Sequence, residues 1–262
     1  MYNYVLGCAV KVENKTEEKF NNIICGRNPV LEAVRSGREI DRLLVAHGIS
    51  GGSVAAIIAK CSAKGILIKE VSPQKLDYYT GGANHQGVAV MFASQEYASV
   101  DDIFDVAKEK NEKPFIIICD EIEDPHNLGA IIRTAEACGV HGIIIPKRRS
   151  ASLNATVAKS ASGALEYMKV ARVTNIPNTI EELKQKGVWV FGADMDGVDF
   201  EQTDFDLPCA IVIGNEGKGI GTLTAKRCDV IVSLPMYGKI NSLNASVAAG
   251  VLMYEVVKKR RK

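Results

Sequence analysis

From Phe115 onward the chain alternates short apolar runs with helical stretches, and this alternation restricts the possible folds more than any other feature. The runs are Phe115–Cys119, Gly142–Ile145, Val188–Ala193, Ile211–Ile213 and Val230–Leu234. Continuous apolar runs of this length read as strands buried on both faces, so the expected fold class is α/β, a mainly parallel sheet covered by helices. Ligands of such sheets bind beyond the carboxyl ends of the strands. Residues 120–127, 214–219 and 235–244, which follow three of the runs, are therefore where chemistry is expected.

The earlier part of the chain reads as a separate small α/β unit, residues 22–93. Asn28 ahead of Pro29 has the pattern of a helix N-cap, with Gly37 as the stop. Arg42–Ala46 reads as a strand, Ser53 as the cap of a helix reaching Lys64, Ile66–Val71 as a strand, Ser72-Pro73 as another helix start and Val88–Phe92 as a strand. Residues 1–21 are polar and aperiodic, an N-terminal arm. Residues 94–113 are expected to be a linker with a weak helix capped by Ser99, and residues 114–262 the second domain.

Composition excludes several classes. No run approaches the roughly 18 apolar residues of a membrane span, and the amino terminus lacks a secretory layout, so a cytoplasmic protein without a membrane partner is expected. Seven cysteines without a Cys-x-x-Cys pair give neither a disulfide framework nor a zinc site, and four histidines have no metal spacing. No metal is expected. A formal net charge of +1 means that any nucleic-acid contact must come from a local patch. The basic end Lys258–Lys262 reads as a solvated tail.

Each of the three strand-end segments admits a plain and a functional reading. In Asp120–Arg133, Asn127 can simply cap the helix that begins at Leu128. Arg133 leans back over Gly129 and Ala130, whose small size leaves its guanidinium room to reach the strand end; a solvated surface arginine is the alternative. The segment Gly214–Gly221 has neither Walker nor dinucleotide spacing, and it offers either a turn or mobile backbone flanked by Asn215 and Glu216. In Leu234–Asn244, Ser242 or Asn244 can cap the last helix, while the apolar, glycine-containing loop could enclose a flat uncharged ligand.

Taken together these segments resemble the motifs of the SpoU (TrmH-like) family of RNA ribose 2′-O-methyltransferases, within the SPOUT superfamily. Asn127-Leu-Gly-Ala-x-x-Arg133 is similar to the first motif, Ile213-Gly-Asn-Glu-Gly217 to the second, and Leu234-Pro-Met…Ser242-Leu-Asn244 to the third. The preceding unit, from Ile24-Cys-Gly-Arg-Asn-Pro-Val30 to Asn84-His-Gln-Gly87, is similar to the ribosomal-protein-like substrate-binding domain of the RlmB branch. The resemblance implies a SPOUT domain with a deep trefoil knot, an exception to the rule against knots. It also implies a homodimer and S-adenosylmethionine as methyl donor, held by Ile213, Gly214, Asn215, Gly217, Leu234, Met236, Leu243 and Asn244.

By the same resemblance Arg133 acts on the ribose hydroxyl, with Asn127, Glu216, Ser242 and Asn244 orienting it. The implied substrate is a guanosine of 23S rRNA, with a tRNA or another rRNA nucleotide as alternatives. Arg27 and Asn28 at a helix start, and Asn84, His85 and Gln86 in a glycine-flanked loop, are the candidate RNA contacts. A non-catalytic RNA-binding protein of the same fold and a nucleotide-dependent oxidoreductase are the competing classes; the missing dinucleotide fingerprint counts against the latter.

Overall fold

The structure, a computed structural model, describes residues 22–261 except 39, 94 and 241, and these fall in two compact units that meet in sequence between Glu96 and Tyr97. The expected N-terminal arm lies outside the described residues.

In the first unit β1 (Ile23–Cys25), α1 (Arg27–Arg35), β2 (Ile40–Ala46), α2 (Gly52–Ala63), β3 (Leu67–Val71), α3 (Pro73–Thr80) and β4 (Val88–Phe92) follow one another. The sheet order is β1-β4-β2-β3, with β2 and β3 parallel and β4 antiparallel to both its neighbours. Alternating residues of β2 feed opposite cores: Leu43 and Val45 pack with Val30, Val54 and Ile57, whereas Leu44 and Ala46 pack with Leu76.

Two helix starts differ from expectation. Asn28 does not cap α1, because Gly26, at φ 93°, takes that place and leaves Asn28 and Pro29 inside the first turn. Proline is accepted there since none of the first-turn N–H groups has an intrahelical partner. Likewise Ser53 sits inside α2, whose cap is Gly51. Ser72 caps α3 as its sequence indicates, accepting from the Lys75 N–H.

The second unit contains β5 (Phe115–Cys119), β6 (Gly142–Pro146), β7 (Lys169–Val173), β8 (Trp189–Asp199), β9 (Cys209–Ile213) and β10 (Val230–Ser233). They form one parallel sheet in the order β10-β8-β9-β5-β6-β7. Its helices are α4 (Val100–Glu109), α5 (Pro125–Ala137), α6 (Ala155–Ala161), α7 (Ile176–Gln185), α8 (Thr222–Arg227) and α9 (Ala245–Arg260). Every residue of β5 and β9 is buried, which is why these strands read as unbroken apolar runs. Strand β7 is not among the runs expected from sequence. It closes one edge of the sheet and carries Lys169 and Arg172, so it lacks an apolar signature.

The helix expected within residues 94–113 is present. A capping box between Ser99 and Asp102 starts α4, and its Ile103 is fully buried against Gly142, where a Cβ would come within 2.4 Å of the isoleucine Cγ1. The basic end of the chain is not purely solvated either. Arg260, in the last turn of α9, donates to the carbonyls of Lys113, Pro114 and Leu207 and so ties the helix end to the start of β5.

A buried histidine closes the other side of that junction. The His141 Nδ1 accepts from the Phe115 N–H at 2.9 Å, so the ring proton sits on Nε2, which bonds Glu112 at 3.0 Å. Burial pushes the imidazole pKa below its ordinary value, opposed by the bond to Glu112. The stabilising contribution of neutral His141 is therefore complete above the unfolded pKa of about 6.5 and is lost as pH falls through the depressed folded value. Urea unfolding at about pH 7.5 and 5.5 should show the wild type losing more stability on acidification than His141→Gln, which has no proton to gain. Equal losses would remove His141 from the account.

Candidate active site

Because the strands are parallel, β5, β9 and β10 send their carboxyl ends to the same edge, and the three candidate segments meet there. The β5–β9 pairing ends with Cys119 opposite Ile213, and the Asp120 N–H continues it to the Ile213 carbonyl at 2.8 Å. Buried Asp120 then turns its Oδ2 to accept from the Gly221 N–H at 2.9 Å, while the Asn215 side chain donates to the Glu121 carbonyl at 3.2 Å. Within its loop Asn215 exchanges two backbone hydrogen bonds with Gly219 and also accepts from the Gly217 N–H. Gly214 is required by that closure, since a Cβ there would lie 2.2 Å from the Gly219 carbonyl carbon.

Asn127 is not the cap of α5. Asp124 takes that role by accepting from the His126 N–H at 2.9 Å, with Pro125 at the first helical position. Asn127 is thereby placed one turn in and buried, with its amide free for longer-range bonds. It bonds Glu216 through Nδ2, and its Oδ1 accepts from Asn244 Nδ2 at 3.0 Å. The Asn244 Nδ2 also donates to Glu216 Oε1 at 3.0 Å. The orientation of Asn244 is set by its other end, where Oδ1 accepts from the Ser246 N–H and caps α9. One residue from each of the three motifs thus joins a single amide–carboxylate cluster.

Arg133 stands outside that cluster. It is exposed, and its Nη1 donates to Ser162 Oγ at 3.4 Å. The small size of Gly129 serves a different purpose from the expected one: a Cβ there would come within 2.4 Å of Ser160 Cβ and 2.8 Å of the Val157 carbonyl, so the glycine lets α6 pack on α5. Leu128, Ile131, Ile132 and Ala135 form the buried stripe of α5.

Beside the cluster opens a cleft of about 520 Å³. Of the residues the resemblance connects with a donor, Ile213, Gly214, Asn215, Gly217, Leu234, Met236 and Leu243 all line it, as does Ser242; Asn244 is exposed and does not line it. Ala193, Asp194 and Met195 also line it, and sequence reading missed them. The strand-end rule applied to the apolar run Val188–Ala193 points to them. Two nearby thiols are inert: burial pushes Cys119 and Cys228 up to about 12.

In the first unit three of the candidate RNA contacts, Arg27, His85 and Gln86, are engaged within the fold. The Arg27 N–H donates to Gln86 Oε1 and its guanidinium to the Gln86 carbonyl and Ser53 Oγ. His85 accepts the Gly87 N–H on Nδ1 and reaches Asp77 through Nε2, so both ring nitrogens are used. Asn84, His85 and Gln86 line a second cleft of about 570 Å³ with His47 and Asp77; Asn28 is exposed on α1 and does not line it. Among the described residues no three His, Cys, Asp or Glu side chains gather to hold a metal, and no helix is long and apolar enough to cross a membrane.

Residues 114–254 match the SpoU rRNA Methylase family, and residues 23–98 match a family described as RNA 2′-O ribose methyltransferase substrate binding. The chain is 49% identical over 92% of its length, and 96% of the relative's, to the "Putative TrmH family tRNA/rRNA methyltransferase YacO" of Bacillus subtilis (strain 168). Among solved structures, the SpoU methyltransferase AviRb of Streptomyces viridochromogenes, in complex with AdoMet, shares the fold at a TM-score of 0.59. It is 24% identical, with 94% of this chain and 97% of that one covered. An AdoMet-bound rRNA methyltransferase from Sinorhizobium meliloti is 25% identical at a TM-score of 0.57, covering 94% of this chain and 90% of the other.

The cluster separates Ser242 and Asn244, two residues apart in one loop, by their structural roles. Asn244→Ala, which removes the α9 cap and both links to Asn127 and Glu216, should cost about 1–2 kcal/mol in urea unfolding. Ser242→Ala, outside the cluster, should stay within about 0.5 kcal/mol of wild type. Similar costs for the two would show that the cluster does not hold the loop.

Proposed function

The chain belongs to the SpoU rRNA methylase family, and we propose that it transfers a methyl group from S-adenosylmethionine to a ribose 2′-hydroxyl of structured RNA, in the first instance a guanosine of 23S rRNA. The observation that carries this reading is the joining of Asn127, Glu216 and Asn244 into one cluster at the mouth of a cleft whose walls suit the donor. Ile213, Val232, Leu234, Leu243 and Ala245 supply apolar surface for a flat base, and Gly214, Gly217 and Gly219 let the ligand approach the loop backbone closely. The residues present fit such a group.

When bound, the donor supplies an electrophilic methyl carbon on a positively charged sulfur. What remains for the protein is to bring the hydroxyl into line with that carbon and to accommodate its proton. Arg133 projects from α5, the helix that also carries Asn127, and its exposed guanidinium can hold the hydroxyl or the adjoining phosphate through several N–H donors. A guanidinium offers donors and no acceptor, so its contribution is to position the nucleophile and to draw phosphate close. Glu216 presents a carboxylate at the same edge, kept in place by two amide groups, where it can receive a hydrogen bond from the substrate. Alignment of this sort lowers a barrier by roughly 7–11 kcal/mol at best, which suits a site without a strong base.

A ribose hydroxyl occurs at every nucleotide, so selectivity must come from shape and unpaired bases elsewhere. The first unit is assigned that task, through the cleft beside Asn84 and Gln86. Its architecture favours a preformed reading surface, because Arg27, His85 and Gln86 already brace the loop. The partner in solution is assigned as a second copy of the chain. Val247, Val251 and Tyr254 on α9 present an apolar stripe, 50%, 39% and 57% exposed, next to Ala130 and Thr134 of α5.

Arg133→Ala should reduce single-turnover methyl transfer on the order of 100-fold or more while donor affinity stays within a few-fold of wild type. Activity close to wild type would overturn the assignment. Mass-spectrometric mapping of RNA from cells with and without the gene decides the substrate: loss of one 2′-O-methylguanosine in 23S rRNA supports the reading, and loss of a tRNA methyl group redirects it. Val251→Glu should shift the protein from dimer to monomer in light scattering, since it places a charge in the apolar stripe. A wild-type monomer at micromolar concentration would contradict the second copy.

A further inference from the structure

Strand β8 does not end where its pairing with β9 ends. Its partner β10 pairs Ile231 with Gly192 and then Val232 with Val198, so residues 193–197 bow out of the ladder, and Ala193, Asp194 and Met195 line the cleft. The bow carries Asp194. One of its carboxylate oxygens accepts from the Met195 N–H at 2.7 Å, and the other lies 3.4 Å from the point where a Cβ on Gly219 would sit. Gly219 has φ +66°, so a side chain there is disfavoured by backbone as well as by this contact, and the carboxylate stays against the glycine loop. No cation pairs with Asp194 among the described residues.

The charge balance of the cleft follows. Its ionisable side chains are Asp194, Glu216 and Lys218, two carboxylates against one exposed ammonium. Glu216 is bonded by the neutral amides of Asn127 and Asn244, which steady its charge without cancelling it. A cleft of about 520 Å³ is little wider than the screening length of physiological salt, about 8 Å, so a charge anywhere inside it feels Asp194.

We propose that Asp194 is a specificity-determining residue that makes the cleft prefer the cationic methyl donor over its neutral demethylated product. This rests on the donor reading given above. Donor and product share adenine, ribose and amino-acid tail, and they differ by one methyl group and one positive charge. A residue that touched only the shared parts would hold both equally. A fixed carboxylate with no cationic partner among the described residues distinguishes them, and it loosens its hold as the sulfonium becomes a thioether, which favours release of the product.

Calorimetric titration of the full-length protein and of Asp194→Asn with S-adenosylmethionine, S-adenosylhomocysteine and sinefungin tests this. Asparagine keeps the shape and the acceptor for Met195 and removes the charge; sinefungin carries an amine in place of the sulfonium. The substitution should weaken S-adenosylmethionine and sinefungin about 3- to 10-fold and change S-adenosylhomocysteine less than about 2-fold. Asp194→Glu should restore the wild-type ratio, and raised salt should shrink the difference. Equal weakening of all three ligands would assign Asp194 to the shared adenosine or amino-acid part and overturn the proposal, as would no change in any of them. A wild-type protein that binds none of the three would strike the donor reading itself, an outcome distinct from either.

Discussion

The site depends on the parallel register between β5 and β9. Phe115 opposite Cys209 and Cys119 opposite Ile213 bring the two strands to an end at one level, so Asp120 and Gly214 begin their loops side by side. A slip of one residue would turn the slipped strand over, sending Ile211 and Ile213 into the core now filled by the smaller Ala210 and by Val212, and overpacking of that kind costs about 1–3 kcal/mol at each site. Such a slip is prohibitive. The bonds from Asp120 to Gly221 and from Asn215 to Glu121 then transmit the register into the loops that line the cleft.

The polar side of the site is built mostly from amides. Asn127 and Asn244 bind Glu216 with neutral donors, which leaves a negative carboxylate at the sheet edge and leaves the guanidinium of Arg133 outside the cluster. A cation inside the cluster would have neutralised Glu216 and consumed the arginine. Satisfying buried Asn127 through side chains from two other loops also makes the three loops one unit, because any of them moving alone would strand a polar group.

The first unit uses its polar residues in a different way. Arg27, Gln86, His85 and Asp77 brace one another around a cleft, so residues that look free in the sequence are partly occupied in the fold. Occupied residues can still bind RNA at their open edges, and a braced loop loses little conformational freedom on doing so.

Much was legible from residue order alone. Apolar runs located five of the six strands of the second unit, Ser72 and Ser99 announced their helices, and the strand-end rule marked residues 120–127, 214–219 and 235–244, the segments that meet. Local patterns suffice for these because burial on both faces and capping are decided by neighbours in the chain. Other features were decided only by tertiary structure. Gly26 and Asp124 took the caps that Asn28 and Asn127 could have supplied, since several candidates lay within one turn and packing chose among them. Strand β7 has no apolar run, Gly129 answers to α6, and Arg260 finds carbonyls from distant segments. Asp194 reaches the cleft only because β8 leaves its register with β10. Each of these depends on a partner far away in sequence, and a one-dimensional pattern carries no information about which distant surface will arrive.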